Sequence, residues 1–209
     1  MKELPRLYAI ADRATLDSRG MSVRDFAREM AQAGVGVVQY RDKAGSPDDV
    51  LRAVAEISAE FEGRDCLLIL NDRADLALLA GWSVHVGYED MTPENVRSLM
   101  GSRACVIGVS THDDVQMIAA DAGCADYVAV GPVFATASKA DAETVVGLEG
   151  VRRARALTKK PLVAIGGITR ENARSVIDAG ADSVAVIGGL LVKGEPTRKL
   201  AEDFLEILR

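Results

Sequence analysis

The chain has 209 residues, of which 48% are hydrophobic and 27% are charged, and its formal net charge at pH 7 is -6. This composition predicts a globular protein with one domain, residues 1–209, and a sizeable core. The acidic balance argues against a general nucleic-acid or membrane surface, so an anionic ligand would need a local basic pocket.

The cysteines and the first strand indicate a reducing compartment. Cys66, Cys105 and Cys124 are odd in number, lie in or beside apolar segments and lack C-x-x-C spacing. They are therefore interpreted as reduced, buried thiols, without a disulfide framework or a zinc site. The chain opens into an apolar strand pattern without the features of a signal peptide, and no apolar run approaches the length of about 18 residues that would suggest a membrane span. We expect a cytoplasmic protein.

Short apolar runs alternate with amphipathic segments, a pattern that predicts βα units around a parallel sheet. We predict strands at residues 7–10, 35–41, 66–70, 83–86, 105–109, 127–130, 162–165 and 183–187. Helices are predicted at residues 22–33, 47–63 and 74–79, from 92 onwards, at 113–122, after 147, at 170–178 and at the end of the chain. Ser22, Pro47 and Thr92 have the residue types that begin helices.

The number of units selects between two architectures. Eight βα units favour a closed (β/α)8 barrel, the TIM barrel, because an open sheet of eight parallel strands would need more chain for its edges and insertions. In such a barrel the carboxyl ends of the strands surround the active site. Residues 134–147 are the longest irregular stretch and are small and polar, which predicts a lid over the substrate.

Two neighbouring strands end in carboxylates. The apolar run 67–70 stops at Asn71 and Asp72, and the next strand is followed by Glu89 and Asp90. Two hard oxygen ligands at one rim suggest Mg²⁺. A turn or a helix N-terminus also favours these residue types, and that alternative stays open.

The second strand ends in a cationic group. Gln39, Arg41 and Lys43 are spaced by two, so a continuing strand would point all three side chains to one side. A guanidinium and an ammonium in this position suit a diphosphate. The alternative is a solvated strand end with ion pairs to Asp42 or Asp48.

Glycine pairs follow the last two strands. Gly166-Gly167 and Gly188-Gly189 would let backbone amides approach a phosphate closely, although tight left-handed turns would also use them. The loop after the sixth strand adds hydroxyls and a cation at residues 136–139, which favours phosphate.

Polar residues of the fourth and fifth strands are more ambiguous. Ser110 could donate to a leaving oxygen or only begin a helix turn. His85, inside an apolar strand, is interpreted as a satisfied core histidine, whereas His112 at the rim is the better catalytic candidate.

Together these segments resemble the thiamine phosphate synthase family in sequence and in order. The segments are Gln39-Tyr40-Arg41-Asp42-Lys43, Asn71-Asp72-Arg73, Gly87-Tyr88-Glu89-Asp90, Gly108-Val109-Ser110, Gly131-Pro132-Val133-Phe134, Lys139 and Ala164-Ile165-Gly166-Gly167-Ile168. Enzymes of that family are (β/α)8 barrels that join a hydroxymethylpyrimidine diphosphate to a thiazole phosphate, with magnesium, and release pyrophosphate. The resemblance implies small-molecule substrates and leaves a homo-oligomer open.

The resemblance also implies roles for individual residues. The residues that would contact the pyrimidine diphosphate are Tyr8, Gln39, Tyr40, Arg41, Asp42, Lys43, Asn71, Ser110 and Lys139. Of these, Arg41, Lys43, Ser110 and Lys139 would act in catalysis by stabilising the leaving pyrophosphate. Asp72 and Asp90 would hold Mg²⁺. The residues that would take the thiazole phosphate are Thr136, Ala137, Ser138, Gly167, Ile187 and Gly188.

The chain departs from the family pattern at Tyr40, Tyr88, Ser138 and Gly188, where leucine, glutamine, threonine and serine are usual. Only Gly188 removes a ligand hydroxyl. The alternatives are a thiazole tautomerase, which would use a histidine where His112 stands, and a non-catalytic sensor of a phosphate ligand. The carboxylates and the Gln-x-Arg-x-Lys spacing argue against the tautomerase, because an enzyme that handles no diphosphate has little use for them.

Overall fold

The fold is a closed parallel barrel. The computed structural model of the protein describes residues 4–136 and 144–209. Its strands pair in chain order, and the last closes the sheet on the first. The strands are β1 (Leu7–Asp12), β2 (Val37–Arg41), β3 (Leu67–Asn71), β4 (Ser83–Val86), β5 (Ile107–Thr111), β6 (Tyr127–Val130), β7 (Leu162–Ile165) and β8 (Ser183–Val186). The predicted (β/α)8 barrel is thereby confirmed.

Helices pack around the sheet. They are α1 (Arg13–Ser18), α2 (Val23–Ala33), α3 (Pro47–Glu60), α4 (Ala74–Ala80), α5 (Pro93–Met100), α6 (Asp114–Ala122), α7 (Gly147–Leu157), α8 (Ala173–Asp178) and α9 (Thr197–Ile207). A short 3-10 helix, Gly188–Leu190, lies between β8 and α9. Ser22 and Thr92 accept hydrogen bonds from the amides of Asp25 and Asn95, so both helices begin where their capping residues predict. Within residues 4–136 and 144–209, no helix is long and apolar enough to span a bilayer.

The first two strands differ at their ends from the sequence prediction. β1 continues to Asp12, whose carboxylate accepts from the amide of Thr15 at 2.9 Å and starts α1, a helix that the sequence pattern did not reveal. β2 begins at Val37, two residues later than predicted, because the amide of Val35 still bonds the carbonyl oxygen of Met30 at the end of α2.

The fifth strand is shifted towards the rim. It covers Ile107–Thr111, whereas the sequence predicted residues 105–109. The shift follows from its pairing with β6, which continues to the pair Thr111 and Val130, and from the Thr111 hydroxyl, which donates to the carbonyl oxygen of Ala129 at 2.9 Å. Ser110 therefore lies within the strand.

Side chains of each strand point alternately into the barrel and outward to the helices. The outward layer is aliphatic and forms most of the core. The barrel interior is smaller, and besides apolar residues it holds Tyr8, Tyr127 and Gln39, all almost fully buried. Buried polar groups are costly unless they are hydrogen-bonded, so the interior requires a network of partners.

Candidate active site

A cavity of about 430 Å³ is lined by residues at the carboxyl ends of the strands and in the loops that follow them. Its volume lies within the range of small-molecule sites. The predicted site residues that line it are Tyr8, Gln39, Arg41, Lys43, Asn71, Asp72, Asp90, Ser110, Thr136, Gly167, Ile187 and Gly188. Residues Ala137, Ser138 and Lys139 lie outside the described residues. The roles of all these residues stay predictions.

Tyr40 and Asp42 are not among the residues that line the cavity, and their predicted contact with the pyrimidine diphosphate stays a prediction. Alternation along β2 directs Gln39 and Arg41 inward and therefore directs Tyr40 outward, into the layer between sheet and helices. The Tyr40 hydroxyl donates to Asp42 at 3.1 Å, and Asp42 also accepts from the amide of Gly45 at 2.8 Å. Asp42 thus orders the turn after the strand.

Arg41 is held by a carboxylate that the sequence analysis did not single out. Its Nη1 donates to Asp12 Oδ2 at 2.6 Å, and Asp12 is almost fully buried. The two residues are partners in the register of β1 and β2, so tertiary pairing selects Asp12 over the sequence neighbours Asp42 and Asp48. Because one guanidinium nitrogen is anchored, the remaining N–H groups keep a fixed direction towards the cavity.

Asp72 and Asp90 come together at the rim. Burial, followed by a hydrogen bond and charge repulsion from Asp90, raises the pKa of Asp72 from 3.8 to about 6, although Lys43 and Arg41 act in the opposite direction. Asp72 also has a left-handed backbone, with φ of 62°. Such a conformation is unfavourable for a residue with a side chain, so tertiary structure holds the carboxylate in place.

This carboxylate pair fits Mg²⁺. Asp72 is half-buried and Asp90 is exposed; their two carboxylates repel each other, and a divalent cation would relieve that repulsion. Among the described residues there is no cluster of three or more Asp, Glu, Cys or His side chains that could hold a metal ion, so the protein would supply only these two carboxylates. Mg²⁺ often takes only one or two carboxylates and completes its shell with water and substrate phosphate oxygens, so two are sufficient.

A continuous hydrogen-bonded network forms the floor of the cavity. We call it the floor network; its members are Gln39, Tyr8, Tyr127, His85 and Ser110. Gln39 Nε2 donates to Tyr8 Oη at 2.8 Å, and Tyr8 Oη lies 2.9 Å from Tyr127 Oη. His85 Nδ1 lies 2.9 Å from Tyr127 Oη, and His85 Nε2 lies 2.9 Å from Ser110 Oγ. Five strands are thereby connected across the barrel.

Two members of the floor network have positions that sequence reasoning missed. His85 has hydrogen-bond partners at both ring nitrogens, as expected of a satisfied core histidine, but its ring also lines the cavity. Tyr127 was interpreted only as part of an apolar strand. The sequence signal was a glycine, Gly108, inside an apolar strand, which suggests the close approach of another group; in the structure Gly108 is the register partner of Tyr127 and leaves space for its ring.

The glycines after β7 serve close packing between loops. Gly166 and Gly167 have φ of 104° and 64°, which corresponds to the tight left-handed turns considered as an alternative. A Cβ atom on Gly167 would lie 2.5 Å from the carbonyl oxygen of Ala135, and one on Gly166 would lie 2.5 Å from Pro132 Cβ. Only glycine fits both positions, and the same backbone lines the cavity next to Thr136.

Arg19 also lines the cavity, although the sequence analysis did not consider it. It follows α1, a helix that was not predicted, so no pattern connected it with a strand end. Thr197 Oγ1 lies 3.8 Å from Met21 Sδ, which means that the segment after α1 packs against the start of α9. Arg19 therefore adds a cation to the lining of the cavity.

His112 is exposed and lines the edge of the cavity. Its amide donates to Gln116 Oε1 at 2.8 Å, within the first turn of α6. The position is compatible with contact to a ligand, but the hydrogen bonds of the cavity interior involve His85 instead.

Comparison with known proteins gives a consistent result. A family model described as thiamine monophosphate synthase matches residues 7–190. A thiamine-phosphate synthase of Koribacter versatilis (strain Ellin345) is 50% identical over 209 residues, covering 99% of this chain and 97% of that protein. One of Methanoregula boonei is 43% identical over 191 residues, covering 91% of this chain and 86% of that protein.

A solved structure agrees with these sequence relatives. The thiamine phosphate pyrophosphorylase from Pyrococcus furiosus superposes with a TM-score of 0.86 at 30% identity, covering 98% of this chain and 95% of that one. Because the family model spans most of the chain and the Koribacter relative aligns over nearly all of it, this chain belongs to the thiamine monophosphate synthase family.

Proposed function

We propose that the protein catalyses the reaction for which its family is named, in which a hydroxymethylpyrimidine diphosphate and a thiazole phosphate give thiamine phosphate and pyrophosphate. The observation that carries the proposal is a cavity with two unlike walls. Cations and carboxylates come from β2 to β4, and glycine-rich backbone comes from β7 and β8. In a closed eight-stranded sheet these strands lie across the barrel from each other, so a diphosphate and a phosphate can be bound apart.

The proposed chemistry requires no general base. The bond between the pyrimidine methylene carbon and the diphosphate oxygen breaks, and its electron pair leaves with pyrophosphate. The thiazole nitrogen then donates its lone pair to that carbon, and the thiazolium product carries the positive charge. Catalysis therefore depends on neutralising the leaving group and on holding nitrogen and carbon in line while water is excluded.

The cationic wall supplies the groups for the diphosphate. Arg41, anchored by Asp12, presents a fixed planar fork, and Lys43 adds a compact charge that can adapt. Asn71 and Ser110 line the same cavity and offer an amide and a hydroxyl. Lys139, outside the described residues, is assigned to this group by resemblance alone.

Asp72 and Asp90 would hold Mg²⁺. When bound, the ion would neutralise charge on the diphosphate oxygens. Burial, and after it the hydrogen bond with Asp90 and the repulsion from it, raise the pKa of Asp72, so a cation bound there would stabilise its ionised form.

The glycine-rich wall would take the thiazole phosphate. Thr136, Gly167, Ile187 and Gly188 line that part of the cavity, and backbone amides can approach a phosphate where no Cβ intervenes. Gly188 offers no hydroxyl to the phosphate. We assign the compensating cation to Arg19, which also lines the cavity.

The test is to incubate purified protein with both substrates and Mg²⁺, and to measure thiamine phosphate and pyrophosphate. Arg41→Gln should lower kcat/KM for the pyrimidine diphosphate about 100-fold, which is the effect of losing one preorganised donor to a developing charge. Arg52→Gln is the matched control, because Arg52 is exposed on α3 and pairs only with Asp49 among the described residues.

Three outcomes would contradict the proposal. Tautomerisation of a thiazole phosphate without coupling would identify a tautomerase. Tight binding of the ligands without turnover would identify a sensor. Equal losses in Arg41→Gln and Arg52→Gln would show that the cationic wall does not hold the diphosphate.

A further inference from the structure

The hydrogen bonds of the floor network all run in one donor-to-acceptor direction. That direction follows from counting the protons available at each member, beginning with Gln39 and Tyr8. Tyr8 Oη accepts a hydrogen bond from Gln39 Nε2, and the only other partner of Tyr8 Oη in the described ranges is Tyr127. The Tyr8 hydroxyl must therefore donate to Tyr127. The Tyr127 hydroxyl, having accepted, donates in turn to His85 Nδ1.

The next link depends on the protonation of the ring. A neutral histidine that accepts at Nδ1 carries its proton on Nε2, so His85 donates to Ser110 Oγ. The Ser110 hydroxyl oxygen then accepts the hydrogen bond from His85. Its own proton remains available for donation to a ligand in the cavity, which Ser110 lines.

The opposite direction is excluded by the same count. If His85 donated from Nδ1, Tyr127 would pass its proton to Tyr8, whose oxygen already accepts from Gln39. The Tyr8 proton would then be buried without an acceptor anywhere in residues 4–136 and 144–209, and such a group is costly. Burial raises the pKa of both tyrosines, so each keeps the single proton on which the count depends.

The packing around Tyr127 holds its hydroxyl at this junction. The ring is fully buried, and its Cζ occupies the space that a Cβ atom on residue 108 would take, at 2.0 Å. Its ring also stacks on His85 with centroids 5.5 Å apart and contacts Tyr8 edge-on at 6.1 Å. Gly108 therefore allows the phenol to reach between β1 and β4.

We propose that the floor network fixes Ser110 as a hydrogen-bond donor to the leaving diphosphate, with Tyr127 and His85 as positioning residues that act through it. The proposal rests on the proposed function of the cavity. Direction matters because a serine that donated to His85 would present only lone pairs to an anion and would repel it. A serine that accepts from His85 instead offers its proton to a developing negative charge, where a preorganised donor is most effective.

A spectroscopic experiment tests the direction without any turnover. The chain has two histidines, so protein labelled with ¹⁵N in the imidazole rings gives two ring systems, and His112→Gln identifies the remaining one as His85. In the free protein at pH 7, we expect His85 to be neutral with its proton on Nε2. In Tyr127→Phe, which cannot donate to Nδ1, we expect a substantial population with the proton on Nδ1.

A proton on Nδ1, or on both nitrogens, in the unsubstituted protein would overturn the proposal. An unchanged tautomer in folded Tyr127→Phe would also do so. Neither result depends on activity, so the proposed direction can fail or succeed separately from the proposed function.

A kinetic experiment tests whether the network acts through Ser110. Tyr127→Phe should lower kcat for coupling about tenfold, the typical effect of one net hydrogen bond. In the Ser110→Ala background the same change should have less than about a twofold effect, because the group through which it acts is gone. Equal losses in the two backgrounds would show that Tyr127 acts structurally.

A pair of His85 variants gives a second, independent comparison. His85→Gln places an amide N–H near the original Nε2 and should retain several times more kcat than His85→Leu, which has no donor. Equal kcat values for two folded variants would contradict the role of His85.

Discussion

The substitution Gly108→Ala tests the packing of the cavity floor. A Cβ atom at this position would lie 2.0 Å from Cζ, 2.3 Å from Oη and 2.4 Å from Cε1 of Tyr127. Carbon atoms in contact prefer a separation of about 3.5 to 4.0 Å, so the ring would have to move by about 1.5 Å or more. Tyr127 is fully buried in a close-packed interior, so its ring cannot move this far without displacing neighbouring side chains.

The expected loss of stability has two parts. Overpacking a core by one methyl group costs about 1 to 3 kcal/mol. Displacing the ring also breaks the hydrogen bonds of Tyr127 with Tyr8 and His85, each worth about 1 kcal/mol net. We expect the free energy of unfolding to fall by about 3 to 5 kcal/mol, which for a chain of this size lowers Tm by about 6 to 20 °C.

Urea unfolding followed by circular dichroism measures the loss. Gly63→Ala is the control, since its Cβ meets nothing within 4 Å and only its backbone, with φ of 71°, is strained. That strain should cost about 1 kcal/mol. In a Tyr127→Ala background, Gly108→Ala should lose most of its penalty. A loss no greater than that of Gly63→Ala, or one unchanged by Tyr127→Ala, would refute the packing argument.

Four further predictions concern the rim of the cavity. Asp72→Asn and Asp90→Asn should each lose Mg²⁺-dependent turnover while remaining folded, as measured by activity titrated with Mg²⁺ and by circular dichroism; unchanged Mg²⁺ dependence in both would contradict the metal assignment. Without Mg²⁺, the raised pKa of Asp72 means that the folded state binds more protons than the unfolded state between pH 3.8 and about 6. The free energy of unfolding that this group contributes therefore falls as pH rises through that window. Relative to the unsubstituted protein, the free energy of unfolding of Asp72→Asn should accordingly increase from pH 4 to pH 7. Relief of the backbone strain at φ 62° is independent of pH and adds only a constant to this difference. Gly188→Ser should lower KM for the thiazole phosphate, to which the new hydroxyl can donate, and leave KM for the pyrimidine diphosphate nearly unchanged. Gly188 is not among the residues with positive φ, so it can accept a side chain without backbone strain. An effect chiefly on KM for the pyrimidine diphosphate would show that the two phosphate sites are assigned to the wrong strands. His112→Ala should retain most coupling activity, since the proposed reaction transfers no proton; loss of coupling in a folded variant would contradict that mechanism.

The sequence by itself determined the fold class and the set of strand ends. Alternating apolar and amphipathic segments encode βα units, because strands buried on both faces need continuous apolar residues and covering helices need one apolar side. The motifs alone are sufficient to identify the family by resemblance, without any geometry. Residues such as Arg41, Asp72 and Gly167 could be singled out because chain order alone places them at the ends of strands or directly after them.

Tertiary structure decided which of these side chains face the cavity and what holds them. The ion pair of Arg41 with Asp12 depends on the register of β1 and β2. The outward direction of Tyr40 depends on which residues of β2 point their side chains into the barrel. Neither is a local property, because both follow from pairing between segments separated along the chain.

The floor network is the clearest case of information that only the closed barrel contains. Its five members come from β1, β2, β4, β5 and β6, and no spacing in the sequence relates them. Barrel closure brings their side chains into one small interior, where the high cost of an unpaired polar group forces each to find a partner. Tyr127 and His85 therefore acquire their positions beside Ser110 from the fold, whereas their sequence context indicates only two buried strands.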